Sequence, residues 1–302
     1  MSRRVVSTRE EALAVLRDPA RFTVDDPRFA TARVVGPSML STEGEEHDRH
    51  RAPYAATFKA DRVRALEPFV RAQAEALVAG FATEVELRTA FAGPLATRVM
   101  LHVLDLDLAE DAVLRAYAQV VAATVGDIGE AQGRAAFATL GLDGNQGVIL
   151  FGGIETTEGM ICNAVWHLLT HPAVLARVRA DLSLVPAAVE ESLRLEPAAA
   201  VVDRYDSEEM VVVSLRDANR DPVTFPEPER FVLNRPNVRS HLTFAAGPHV
   251  CLGLHLARLE ARVALEVLLE GFPGLELAVP TAPEGAVFRK PPALTVSFAG
   301  KI

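Results

Sequence analysis

Apolar residues recur at helical spacing over most of the chain. Between Ala60 and Phe81, Leu66, Phe69, Val70, Leu77 and Phe81 share one face, as in an amphipathic helix packed on a core. The same spacing predicts helices over 9–17, 45–58, 92–104, 109–125, 173–182, 186–195 and 252–269. Ser7 or Thr8 can cap the first, Glu10 and Glu11 suit its first turn, and Pro19 ends it. Residues 148–170 are apolar enough to form a buried central helix, and Pro172 starts the next. Strands are expected at Val5–Val6, at Val85 with Leu87, and over 201–203, 210–214, 275–279 and 294–298. From Pro27 to Gly44 the pattern is irregular. Frequent glycines over 126–147 predict a loop, or at most a short helix near 134–140, and the proline-rich run 222–236 predicts an irregular coil. The expected fold is mainly α with small β-sheets, residues 1–302 forming one domain without repeats or an obvious linker.

Composition narrows the possibilities. At 302 residues, 49% hydrophobic and 24% charged, the chain can build a core without disulfides. Its two cysteines, Cys162 and Cys251, lie far apart with no secretory signal before them, which implies a reducing, cytoplasmic setting. Charged residues interrupt the apolar stretches, so neither a bilayer-spanning helix nor a membrane anchor is expected. A net charge of −9 makes nucleic acid a poor partner.

Three groups of residues suggest chemistry. Cys251 stands where the apolar period of the last helix begins, a position whose free amides and helix dipole favour a thiolate. A packed cysteine in a tight turn is the competing reading. Gly152 and Gly153 interrupt the central helix at about 1 kcal/mol each, as close approach of a flat ligand or of another helix would require. His47 and Arg51, four residues apart, can hold one anion, although solvated polar faces are more common.

Phe244-x-x-Gly247-x-His249-x-Cys251-x-Gly253 resembles the haem-binding loop of the cytochrome P450 family, with Ala245 where glycine commonly stands. The resemblance implies a truncated P450-like fold with haem b between the central helix and this loop, Phe244 among the cofactor-binding residues, and Cys251 as the axial iron ligand whose electron donation helps cleave an O–O bond. Gly152-Gly153-Ile154-Glu155-Thr156-Thr157 resembles the oxygen-activation segment. Its glycines would lie against the cofactor, while Glu155 and Thr156 would manage the protons of catalysis. By the same resemblance His47, Arg51, Arg204 and His249 meet the haem propionates. Glu191 and Arg194 would form a structural ion pair completed by Arg230.

The chain is shorter than typical members. The segment before Val5, residues 27–46, the strand connection at 210–217 and above all the lid region around 126–147 are reduced, which predicts an open distal pocket suited to a bulky or carrier-tethered substrate. No Gly-x-Gly-x-x-Gly dinucleotide site is present, so electrons would come from a ferredoxin and its reductase, or peroxide would replace them. Arg49, Lys59, Arg62, Arg64, Arg258 and Arg262 would give an acidic ferredoxin a docking patch. The expected activity is monooxygenation of a small organic or natural-product substrate with dioxygen. The alternatives are a haem-thiolate peroxygenase, oxidative coupler or isomerase, and a non-catalytic haem-binding protein.

Overall fold

The computed structural model describes residues Arg3–Phe298. Strand β1 (Arg3–Val6) leads into α1 (Arg9–Arg17), capped by the Thr8 hydroxyl, which accepts the Glu11 N–H at 3.3 Å. The chain continues through α2 (Ala30–Val35), α3 (Gly44–Ala55), α4 (Ala60–Ala65), α5 (Glu67–Val78) and β2 (Glu84–Glu86). A π turn over Arg88–Ala92 precedes α6 (Gly93–Val103), then α7 (Glu110–Val125), α8 (Glu130–Ala138) and the long α9 (Gly144–Thr170) follow. After α10 (Pro172–Ala180) and α11 (Val185–Leu195) come β3 (Val201–Asp206), β4 (Glu209–Ser214), α12 (Leu215–Ala218), α13 (Leu254–Gly271), β5 (Glu276–Leu277) and β6 (Thr295–Ser297). The predominance of helix with two small sheets matches the sequence expectation.

In the first sheet β4 lies centrally, parallel to β1 and antiparallel to β3. β6 is central in the second, antiparallel to β2 and β5. Apolar residues of α9 face α6, α11 and α13, so this helix forms the axis of the main core. It is the one described helix long and apolar enough to span a bilayer, contrary to the expectation that charges break every such stretch. Its most apolar window is 72% buried inside the protein.

Four local expectations change. The irregular stretch after Pro27 contains α2, which at six residues is too short to show a period. The helix expected over 60–81 divides at Leu66, next to Pro68 in the first turn of α5. The glycine-rich region holds α8, where Gly133 lets the helix press against Ala123 of α7 and Val34 of α2. That glycine marks close packing, not a loop. Helix α9 starts at Gly144, four residues earlier than expected, because Asp143 and Gln146 form a reciprocal capping box.

Candidate active site

The segment 244–253 folds back on itself ahead of α13. The Cys251 N–H donates to the Phe244 carbonyl at 2.9 Å, and the Val250 N–H to the Gly247 carbonyl at 3.2 Å. Gly247 adopts φ +73°, and a Cβ there would strike the Leu16 carbonyl oxygen, so glycine fixes the loop against α1. Ala245 also lies in the left-handed region, at φ +58°. A side chain in that conformation costs about 1–2 kcal/mol.

Gly253, not Cys251, caps α13, and the thiol lies just before the helix. Burial raises the Cys251 pKa, outweighing the Gly253 N–H and the charges of Arg51 and Arg258 that favour the thiolate. The expected lowering therefore does not hold for the thiol by itself, and a metal cation is the partner that would tip it. Arg258 packs over the Phe244 ring, 4.4 Å from its centroid, and is paired to Glu190 at 2.6 Å.

Above this loop lies a cavity of about 270 Å³. Gly152, Gly153, Thr156 and Thr157 of α9 form one wall, Phe244, Cys251 and Leu252 another, and Met39 and Leu40 close part of the remainder. Gly152 is exposed on a mostly buried helix, and a Cβ there would meet no atom within 4 Å. Gly153 differs. Its Cβ would come within 2.5 Å of the Met100 sulfur, so its absent side chain admits α6. The Thr156 hydroxyl donates to the Gly152 carbonyl at 2.6 Å.

Glu155 is absent from the cavity wall. Lys290 holds its carboxylate at 2.8 Å, and the Tyr117 hydroxyl from α7 donates to it. Lys290 also reaches Glu158 at 2.7 Å. Burial alone would discharge this lysine, but Glu158 and Glu155 together hold its pKa above the usual value. Tyr117 and Lys290 were invisible as site residues because they lie 38 and 135 positions from Glu155, on other elements. Among the described residues, the one carboxyl on the cavity wall is Glu260 of α13. It is buried, its Oε2 has no hydrogen-bond partner among the described residues, and burial pushes its pKa well up.

The expected propionate donors gather at one edge, although only Arg51 and His249 line the cavity. Arg51 donates to the Val250 carbonyl at 2.8 Å, and the His47 and His249 rings meet edge-on at 4.4 Å. Arg204 is buried on β3 and donates to the Asp203 carbonyl. Among them lies Glu43, a carboxylate the sequence reading missed, 2.8 Å from the His249 Nε2. Burial raises its pKa, but hydrogen bonds from His249 and the Val24 N–H and the charges of His249 and Arg204 bring it below the ordinary value. This edge is thus suited to carboxylates.

Beneath the loop, Glu191 and Arg194 form the expected buried pair at 2.9 Å. The third partner is Arg235, at 3.0 Å from Glu191, and not Arg230. Arg230 is 67% exposed and pairs with Glu227, whereas Arg235 is 5% exposed. Only the Arg230 backbone joins the network, its carbonyl accepting from Arg194 and Arg235.

A flat wall at Gly152, a thiol opposite and cation-bearing residues at one edge fit a haem. Cys251 would ligate the iron, and Arg51, His249, His47 and Arg204 would serve the propionates. Comparisons with known proteins agree. The family model "Cytochrome P450" matches residues 130–293. Cytochrome P450 monooxygenase PikC of Streptomyces venezuelae is 32% identical, with 89% of this chain and 78% of that protein covered. Nocardicin C N-oxygenase of Nocardia uniformis subsp. tsuyamanensis is 31% identical, covering 97% and 89%. Among solved structures, P450BioI in complex with an acyl carrier protein ligated to hexadec-9Z-enoic acid superposes with TM-score 0.88 at 26% identity, covering 97% of this chain and 92% of that one. Myxobacterial CYP267B1 in complex with myristic acid gives 0.89 at 26%, covering 98% and 90%. With the thiol loop, the glycine wall and the whole course of the fold in agreement, the chain belongs to the cytochrome P450 family and is a haem-thiolate monooxygenase.

Proposed function

We propose that this P450 inserts one oxygen atom into a small, mainly apolar organic or natural-product substrate, with residues 1–302 acting as one haem-thiolate domain in the cytoplasm. The observation that carries this reading is the placement of the Thr156 hydroxyl on the cavity wall above Cys251, among apolar side chains from Met39, Val148, Ile149 and Val202. Those side chains bind by burial and exclude water. When bound, the haem supplies the activation of oxygen. Thr156 orients a proton at Oγ1, with the Gly152 carbonyl as its resting acceptor. Glu155 replenishes that proton after its carboxylate leaves Lys290, takes up a proton from solvent water and turns toward the cavity.

Electrons come from a ferredoxin and its reductase. Arg49, Lys59, Arg62 and Arg64 are exposed on α3 and α4 and their approaches, and α4 packs against α13. Arg258 and Arg262 contribute less, since they are tied to Glu190, Glu67 and Glu266. A carrier-tethered substrate is supported by the carrier complex of the neighbour P450BioI. Turnover of a substrate panel with a ferredoxin–reductase pair, compared with peroxide alone, tests the reading. Product formed with the redox pair, and uncoupled to peroxide by Thr156→Ala, is expected. Product with peroxide only would move the assignment to a peroxygenase, and no product under either condition to a haem-binding role.

A further inference from the structure

Glu158 lies one turn beyond Glu155 on α9 and does not line the cavity. Both carboxyls are buried, and at this spacing they share one side of the helix, where like charges repel. Lys290 stands between them. Its Nζ is 2.8 Å from Glu155 Oε1 and 2.7 Å from Glu158 Oε1, and it donates to the Tyr117 hydroxyl at 3.3 Å. The lysine is fixed in place, because its backbone exchanges two hydrogen bonds with that of Glu284, at 3.1 and 3.2 Å.

The two carboxyls are held differently. Glu155 is fixed by Lys290 and by the Tyr117 hydroxyl, and the residue after it, Thr156, is on the cavity wall. Glu158 is packed against the start of α6. A Cβ on Gly93 would come within 2.7 Å of its Oε2, so glycine is what admits the carboxyl there. Arg88 of the π turn supplies a second cation, 3.8 Å from Oε1. Glu158 is thus anchored apart from the cavity, whereas Glu155 is one residue from it.

Glu155 can serve Thr156 only by leaving Lys290. A buried ammonium stripped of its counter-charge is strongly destabilised, so the swing needs a second anion already in contact. Burial raises the pKa of Glu158 against the pull of Lys290, and the charge of Glu155 raises it further. Turning Glu155 away removes that repulsion, so Glu158 becomes the stronger anion at the moment Lys290 depends on it. The other groups in its field do not compete. Burial keeps Tyr117 and Cys162 protonated, and Arg88 is a cation.

We propose that Glu158 is a positioning residue of the oxygenation, the counter-charge that takes over Lys290 when Glu155 turns toward the cavity. This rests on the monooxygenase reading and adds to it the group that frees the acid.

Unfolding of the haem-loaded protein in urea, compared for Glu155→Gln, Glu158→Gln and the double variant, tests the counter-charge. Either glutamine alone leaves Lys290 one carboxylate, so each should shift the unfolding equilibrium less than about tenfold. The double variant should exceed the product of the two shifts at least about thirtyfold. Turnover of a panel substrate with a saturating ferredoxin and its reductase reads the swing itself. Glu158→Gln pins Glu155 to Lys290, so kcat should fall about tenfold or more and its solvent isotope effect should rise, while the substrate Kd from the Soret shift stays unchanged. Glu158→Asp, which keeps the charge, should recover most of the rate. Additive shifts in the double variant, or parental kcat and isotope effect in Glu158→Gln, would overturn the proposal. A parent that makes no product with the redox pair would instead mark failure of the monooxygenase reading, and the unfolding comparison decides the counter-charge without any turnover.

Discussion

The two sides of the cavity are built on different principles. Below Cys251, charges are buried and mutually satisfied: Arg194 donates to Glu191 and to the carbonyls of Asn219, Pro228 and Arg230, while Arg235 adds two bonds to the same glutamate. Above the cavity the contacts are fewer: the Met39 backbone is held by Asn145 and His47, and the Glu155 carboxylate by Lys290 and Tyr117. A redundant network sets a ligand position within narrow limits and tolerates little change. A covering side fixed by fewer hydrogen bonds has more freedom to vary with the substrate. The haem side is therefore the more rigidly specified of the two.

The largest expected effect lies in the lower half. Glu191→Ala leaves Arg194 and Arg235 buried without their carboxylate, which should cost about 3–5 kcal/mol in urea denaturation and abolish haem retention. An effect below about 1 kcal/mol would erase the distinction between the halves. Gly152→Leu makes the opposite demand. Because its Cβ enters open space, unfolding of the haem-free protein should change by less than about 1 kcal/mol, while haem content falls more than tenfold. Retained haem would show that the flat wall is not needed.

Two buried glutamates sharpen the comparison through pH. Glu190 is subject to burial but held by His241 and Arg258, and its pKa falls to about 2. A depressed carboxylate contributes stability present above the ordinary value of 4.5 and lost as the pH falls toward 2. Glu260, on the cavity wall, has only burial acting on it, and its pKa rises. Its folded form keeps a proton that the unfolded chain releases, so it lowers stability as the pH rises above 4.5, by up to about 1.4 kcal/mol per pH unit. Glu190→Gln should flatten the acid limb of a stability–pH curve, and Glu260→Gln the neutral limb. Exchange of those two outcomes would reverse the assignment. The smallest effect is at Ala245. Replacement by glycine relieves the left-handed strain but frees the unfolded chain, a net gain of about 0.5 kcal/mol measurable as a rise in Tm.

The lower half was legible because its signals are local. Phe244 to Gly253 is one continuous segment, Glu191 and Arg194 are a turn apart, and the helices around them have strong apolar periods. Even there, the third member of the triad was misplaced, since Arg230 and Arg235 differ in burial, which spacing does not encode. The upper half depends on contacts between distant positions. Asn145 and Met39 are 106 residues apart, and Glu43 and His249 are 206 apart. Helix α8 was obscured by Gly133, whose role is to let three helices meet. The sequence pattern likewise could not separate Gly152 from Gly153, because one faces open space and the other a methionine on α6.

The central claim is that Cys251 binds haem iron as a thiolate with the α9 glycine wall opposite. Its most direct measurement is the absorption spectrum of the reduced protein under carbon monoxide, for the parent and for Cys251→His. The parent should show the red-shifted Soret band of a thiolate ligand, and the variant, if it retains haem, should show the band of a histidine-ligated one. A parent spectrum without the thiolate band, or one that Cys251→His leaves unchanged, would contradict the account.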